Sequence, residues 1–142
     1  MKSRDTLLKL YKFRVDEAKT RLHGFEQMRA DMTRKIVELE GHLSEESRRA
    51  TENEIGRFAY PSFAKSIRER KDKLNASVLE VERSIAEARI ALHEAFQDLK
   101  KLELAEESRQ RRESEHLAHV ERTDADERSI QRYIRAQAGE RR

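Results

Sequence analysis

The chain has no cysteine and no tryptophan, one proline and only four glycines among its 142 residues. Without cysteine there is no disulfide, no thiolate nucleophile and no cysteine ligand for a metal, which fits a reducing cytosol. Four scattered glycines are too few for the tight backbone loops of phosphate-binding sites, and no glycine-rich phosphate loop or nucleophile-elbow motif occurs. These absences argue against an enzyme.

Long hydrophobic runs are also missing. No window approaches the roughly 18 apolar residues of a membrane-spanning helix, and the first residues lack the apolar run of a signal peptide. Charged residues make up 42% and hydrophobic residues 36% of the chain, against about 25% and 45–50% in an ordinary domain. We therefore expect a narrow apolar seam rather than a thick core.

Neither sign of charge dominates, because 31 lysines and arginines are interleaved with 28 aspartates and glutamates. A nucleic-acid-binding protein more often has a sustained basic patch. The densest basic run, residues 65–73, contains Glu69 and Asp72. It is either a solvated face with i, i+4 ion pairs or a patch that meets an acidic partner.

Two histidines have the spacing of helical metal ligands. His116 and His119 are three residues apart, near Glu113 and Glu115, but two ligands in a solvated segment make only a weak site. No pair of carboxylates is marked out by an apolar setting that would shift its pKa. We expect no catalytic residue, no cofactor and no metal.

The sequence has instead two apolar seams with alternating steps of three and four residues. Eleven of thirteen positions are apolar in the first seam, which comprises Leu8, Tyr11, Val15, Ala18, Leu22, Phe25, Arg29, Met32, Ile36, Leu39, Leu43, Glu46 and Ala50. Eleven of twelve are apolar in the second, which comprises Ala64, Ile67, Lys71, Leu74, Val78, Val81, Ile85, Ala88, Leu92, Ala95, Leu99 and Leu102. Such a period predicts an all-α fold, a two-helix antiparallel coiled-coil hairpin with a C-terminal helical overhang, in a single domain over residues 1–142.

Helix one is predicted over about residues 5–50, with Asp5 as its N-cap. Its glycines, Gly24 and Gly41, lie off the seam and are either tolerated or mark a hinge.

A tip is predicted over residues 51–61, because Pro61 suits the first turn of a helix and disfavours helical angles at Tyr60. Helix two is accordingly predicted over about residues 62–107. With the turn centred near residue 56, the numbers of antiparallel partners should add to about 112.

Residues 108–142 are predicted to continue helix two as a polar overhang, with a disordered tail as the alternative. Nine arginines balance nine acidic residues over 106–142. Weak apolar positions there are candidates for docking on a partner: Leu117, Val120, Ile130, Tyr133 and Ile134.

The tip contains three aromatic residues, Phe58, Tyr60 and Phe63. They either cover the end of the seams near Leu43 and Ile67 or face outward as a docking patch for a partner.

Three stretches carry a family resemblance: the opening MKSRDTLLKLYKFRVDEAK, the tip FAYPSFA, and EAFQDLKKLELAEE in helix two. Up to about Glu107 the chain resembles FliJ, the coiled-coil component of the bacterial flagellar type III export apparatus, and is most similar to alphaproteobacterial members.

The resemblance implies a non-enzymatic stalk. Its joined terminal ends would enter the hexameric export ATPase FliI, and it would contact the cytoplasmic domain of the export gate protein FlhA, with export chaperones as further partners. It implies a cytoplasmic protein, peripherally associated with the inner membrane at the flagellar base, that promotes secretion of flagellar proteins and so motility and chemotaxis. No nucleic acid, small-molecule substrate or membrane insertion is implied.

The resemblance also places the two partner surfaces. On the gate side it implies Leu39, Leu43, Phe58, Tyr60, Phe63, Ile67 and Leu74. On the ATPase side it implies Leu7, Leu8, Tyr11, Leu99 and Leu102. The alternative is a generic scaffolding coiled coil, for example a homodimer whose seams face a second copy.

Overall fold

A computed structural model describes residues 2–140, and it contains two long α-helices. Helix α1 spans Lys2–Glu52 and α2 spans Glu54–Glu140. The described residues contain no strand. By contact the chain forms two compact units, Met1–Leu99 and Lys100–Arg142, so its assignment to a single domain stays a prediction.

The two seams form the packed faces of the helices. All thirteen seam positions of α1 and all twelve of α2 are buried or half-buried. The fully buried residues are small or branched: Val15, Ala50, Ala64, Ile67, Val81, Ile85 and Ala88. The all-α hairpin of two packed helices is therefore confirmed.

Helix α1 is longer than predicted at both ends. It begins at Lys2, so Asp5 lies in the first turn and is not the N-cap. A carboxylate in that turn still stabilises the amide end of the helix dipole. At the other end, Arg49 lies in the last turn, where its charge suits the carbonyl end, and the helix ends at Glu52.

The predicted tip over 51–61 is wrong, because only Asn53 separates the two helices. Its side-chain Oδ1 accepts a hydrogen bond from the Ile55 amide at 3.1 Å, and its carbonyl accepts one from the Arg57 amide at 3.0 Å. Asn53 is thus the N-cap of α2. Helix two therefore begins at Glu54, eight residues earlier than predicted.

Pro61 consequently lies inside α2. Its ring nitrogen has no hydrogen to donate to the carbonyl four residues earlier, and its ring crowds that carbonyl, so a bend is expected there. No described residue has a cis peptide bond or a positive φ. The chain reverses direction at Asn53, which caps the start of α2, and no described glycine with a positive φ is involved.

The first turns of α2 cross the end of α1. At Gly56 a Cβ would lie 3.3 Å from the Arg49 carbonyl oxygen and 3.4 Å from the Ala50 Cα. Further along, Lys71 Nζ of α2 forms an ion pair with Glu40 Oε1 of α1 at 3.1 Å.

From the contact of Gly56 with Ala50 to the ion pair of Lys71 with Glu40 there are ten residues along α1 and fifteen along α2. Five extra residues give about 7.5 Å of helix, close to the 8–10 Å between packed helix axes. We infer that residues 54–61 traverse this distance. These residues replace the predicted loop, so the numbers of contacting residues still add to about the predicted 112. The sum is 111 for the ion pair of Glu40 with Lys71. It is 115 for Lys19 and Phe96, where the lysine Nζ lies 5.2 Å from the centre of the phenylalanine ring.

The second unit is helical throughout its described part. Residues 108–140 belong to α2, so the alternative of a disordered tail is wrong for them, and residues 141–142 lie outside the described range. Ion pairs one turn apart stabilise this helix: Arg109 binds Glu106 at 2.6 Å and Glu113 at 2.8 Å, and Arg111 binds Glu107 at 3.4 Å. The predicted sum of about 112 would also pair Asp5 with Glu107 and Leu8 with Leu104, and these two pairs stay predictions.

Candidate interaction surfaces

The crossing turns of α2 carry the most exposed large apolar side chains of the first unit. Phe58 is 91% and Ile55 is 78% exposed. The two are three residues apart and so share one helix face. Apolar side chains this exposed in a polar surrounding are typical of interfaces. We call Ile55 and Phe58 the corner patch.

The other two aromatic residues of this region are half-buried, as the seam-covering alternative expects for Tyr60 and Phe63. Phe58 is exposed, as the docking alternative requires, and its contact with a partner stays a prediction. The three aromatics therefore divide between the two interpretations, because the crossing turns present one face to α1 and the other to solvent. Ile55 was not singled out from the sequence, since it was expected in a loop.

The remaining predicted gate-side residues lie on the seams. Leu39, Leu43 and Leu74 are half-buried, whereas Ile67 is only 3% exposed. A partner reaches Ile67 only if the helices separate there. Phe58 is fully available, so within this predicted set it is the residue best placed for a first contact.

Leu39 and Leu74 also form the floor of a groove between α1 and α2, with a volume of about 320 Å³. Lys35, Arg70 and Lys73 line its edges, together with the single carboxylate of Glu38 and with His42. We call these seven residues the basic groove. An apolar floor with three cations favours an acidic segment that carries apolar side chains.

The predicted ATPase-side residues divide between the two units. In the first unit, Leu7 is 39% exposed, while Leu8, Tyr11 and Leu99 are half-buried seam residues. In the second unit, Leu102 is half-buried. Of this set, Leu7 offers the most apolar surface to a partner without any change in the packed seam.

Further exposed apolar residues near the start of α1 were missed. Leu10 is 43% and Phe13 is 57% exposed, and Phe13 borders a shallow groove over Ala18, Ala91 and Ala95. Leu7, Leu10 and Phe13 follow one another at steps of three residues, which was a signal in the sequence, because an apolar residue off a coiled-coil seam has no partner within the hairpin.

The described residues hold no group of three or more histidine, aspartate or glutamate side chains arranged to bind a metal. His116 and His119 are both exposed. None of the described helices is long and apolar enough to cross a membrane. What the geometry provides is exposed apolar and charged surface on long helices.

A family model described as the flagellar FliJ protein matches residues 1–138. The chain belongs to the FliJ family. The match continues well past Glu107, where the resemblance read from the sequence ended, and so includes most of the second unit. FliJ proteins are non-catalytic components of the flagellar protein export apparatus, and this chain is accordingly a flagellar export component. Neither a curated protein nor a solved structure matches the chain.

Proposed function

We propose that this FliJ-family protein is a non-enzymatic stalk of the flagellar export apparatus, cytoplasmic and peripherally associated with the inner membrane at the flagellar base. It binds the hexameric export ATPase FliI and the cytoplasmic domain of the export gate protein FlhA, promotes secretion, and meets export chaperones as further partners. The family match over residues 1–138 carries this proposal. The alternative of a homodimer joined through the seams loses support, because the seams are already packed within one chain.

The proposal assigns the corner patch to the gate. Phe58 and Ile55 provide apolar surface that needs no unfolding to become available. Burying a phenylalanine side chain on binding contributes about 1.5–3 kcal/mol, which corresponds to roughly a ten- to hundredfold change in the dissociation constant.

Binding of Phe58→Ala to the purified gate domain tests this assignment. We expect affinity to fall at least about tenfold, with an unchanged midpoint of thermal unfolding, because Phe58 contributes little to the packed seam. The matched control is Leu79→Ala, since Leu79 is 59% exposed on the same helix and lies outside the predicted surface. Equal affinity of Phe58→Ala and the unchanged protein would remove the corner patch from the gate interface.

The proposal assigns Leu7, Leu8, Tyr11, Leu99 and Leu102 to the ATPase. A hexamer presents six equivalent subunits, whereas one helical hairpin has no such symmetry, so its contacts with the subunits must be unequal. Unequal contacts can favour closure of some subunits over others or favour ring assembly.

Measuring ATP hydrolysis and ring formation by the cognate ATPase with saturating amounts of this protein tests the second assignment. We expect both to rise, and we expect Leu7→Ala to shift the half-maximal concentration upward without altering the helix content. Ile90→Ala is the control, because Ile90 is an exposed apolar residue of the first unit outside the predicted surface. If the ATPase responds in neither assay, the stalk proposal fails.

A further inference from the structure

We propose that the basic groove of one molecule binds an acidic helical stripe of a second molecule, so that the protein associates with itself through two different surfaces. The proposal goes beyond the export function, since it requires no other protein. It rests on unpaired charges in each unit and on the apolar residues that lie between them.

In the first unit, the cations of the basic groove lack ion-pair partners. Lys71 pairs with Glu40 and Arg34 pairs with Asp31. Among the ion pairs of the described residues, none includes Lys35, Arg70 or Lys73. These three cations surround the apolar floor of Leu39 and Leu74. Such a groove is matched by a helix that brings both carboxylates and apolar side chains.

In the second unit, α2 offers a helix of this kind. Leu117 is 61% and Val120 is 40% exposed. Glu121, Asp124 and Glu127 follow at helical steps that keep all five residues within about one third of the helix circumference. We call these five residues the acidic stripe.

The carboxylates of the acidic stripe are available for a partner. None of its three carboxylates takes part in an ion pair within the described part of the chain. Upstream, Glu113 is already held by Arg109 at 2.8 Å, and downstream Arg128 ends the acidic run. The stripe is therefore confined to residues 117–127.

The acidic stripe is long enough to span the groove. The α1 edge of the groove runs from Lys35 to His42 and is about 10 Å long, and the acidic stripe is about 15 Å long at 1.5 Å rise per residue. The stripe lies on a helix that is already formed, so docking does not require the loss of conformational entropy that helix formation would cause. Exposed ion pairs each contribute only about 0–1 kcal/mol, so the association is weak and sensitive to salt.

A contact between two different surfaces is heterologous unless two molecules exchange it reciprocally, in which case their dimer is isologous. Two molecules that exchange stripes close into a dimer, and molecules that do not exchange them form open chains. Leu39 and Leu74 also belong to the proposed gate-side surface, so a molecule whose groove is occupied by a second copy is unavailable to the gate through that groove.

Sedimentation equilibrium of the full chain tests the proposal without any other protein. We expect reversible association at about 0.1–1 mM protein in about 0.1 M salt, and at least a tenfold weaker association in about 1 M salt, where the Debye length falls from about 10 Å to about 3 Å. A monomer at every concentration in about 0.1 M salt would overturn the proposal.

Charge reversal identifies the surfaces. The groove variant Arg70→Glu/Lys73→Glu and the stripe variant Glu121→Lys/Asp124→Lys should each be monomeric alone. A mixture of the two should associate, because the groove variant keeps an intact stripe and the stripe variant keeps an intact groove.

Matched controls carry the same change in net charge elsewhere on the exposed face of α2: Arg83→Glu/Arg89→Glu for the groove variant and Glu82→Lys/Glu94→Lys for the stripe variant. Circular dichroism verifies that every variant is helical. Association of the controls together with the mixing result supports the proposal. Association that survives in both reversal variants, or that the controls lose equally, places the interface elsewhere and overturns it. Either failure leaves the gate and ATPase proposals untouched, since those are measured with their own partners.

Discussion

Replacing glycine by alanine should have opposite effects on the free energy of unfolding at different glycines of the first unit. At Gly24 and Gly41 a Cβ would meet nothing within 4 Å, whereas at Gly56 it would lie 3.3 Å from the Arg49 carbonyl oxygen and 3.4 Å from the Ala50 Cα. All three residues lie within α-helices. Alanine is favoured over glycine in a helix interior by about 0.8–1.0 kcal/mol.

We therefore expect Gly24→Ala and Gly41→Ala each to raise the free energy of unfolding by about 1 kcal/mol. The two sites are about 25 Å apart along α1 at 1.5 Å per residue, so the double variant should gain about 2 kcal/mol. If either glycine were a hinge required by the fold, its substitution would stabilise less than this.

Gly56→Ala should lower the free energy of unfolding, because the groups that crowd the added methyl are backbone atoms of α1. Moving them separates the helices where Ala50 is buried, and overpacking of this kind costs about 1–3 kcal/mol. That cost equals or exceeds the helix-propensity gain of at most about 1 kcal/mol.

Urea unfolding followed by circular dichroism at 222 nm measures all four variants, with equal dependence on urea as the test that the unfolded states are comparable. Gly24→Ala and Gly41→Ala serve as internal controls for helix propensity. If Gly56→Ala stabilises the protein as much as they do, the close approach of α2 to the last turn of α1 is wrong, and with it the crossing of residues 54–61.

Three further experiments test the cap, the seam and the cross-helix ion pair. Asn53→Ala should cost about 1 kcal/mol by removing the acceptor for the Ile55 amide, while Asn53→Asp should retain most of the stability; a neutral Asn53→Ala would contradict the capping role. Ile85→Ala, at a residue only 2% exposed, should cost about 2–5 kcal/mol, whereas Ile90→Ala, at a residue 61% exposed on the same helix, should stay within about 0.5 kcal/mol of the unchanged protein; similar losses would mean that the seam faces are misassigned. A double-mutant cycle on Glu40 and Lys71 should give a coupling of at most about 1 kcal/mol that declines in high salt, and a larger, salt-independent coupling would indicate a more buried pair.

The seams could be predicted from the sequence because helix geometry alone dictates their period. Alternating steps of three and four residues keep side chains on one face of a helix. Even the polar seam residues Arg29, Glu46 and Lys71 are half-buried, since their position on the helix decides which way they point.

The start of α2 was not predictable from local rules, because two of them conflicted. The prediction followed Pro61, because proline suits the first turn of a helix and is unfavourable inside one, whereas an asparagine such as Asn53 can either end a helix or cap the start of the next one. The structure follows Asn53, and the bend expected at Pro61 suits a helix that must cross before it runs alongside α1.

The interaction surfaces were only partly predictable. Phe58 was predicted as a gate-side residue. Its exposure depends on the direction in which the first turns of α2 cross α1, and the spacing of apolar residues does not determine that direction. The basic groove combines Lys35 from α1 with Arg70 and Lys73 from α2, so it emerges only once the register is known. Ile55 was missed because a loop was expected where a helix begins.

The single connecting residue also has a consequence for how the hairpin folds. The sequence separation of contacting residues increases with their distance from Asn53. Ala50 and Gly56 are six residues apart, Glu40 and Lys71 are 31 apart, and Lys19 and Phe96 are 77 apart. The entropy lost on closing a loop grows with its length, so pairing that starts at Asn53 and proceeds outward closes only a short new loop at each step. We therefore expect the helices of the first unit to pair first near Asn53 and then progressively towards their far ends. Because the pairs near Asn53 would also be the last to open, the slowest amide exchange is expected there.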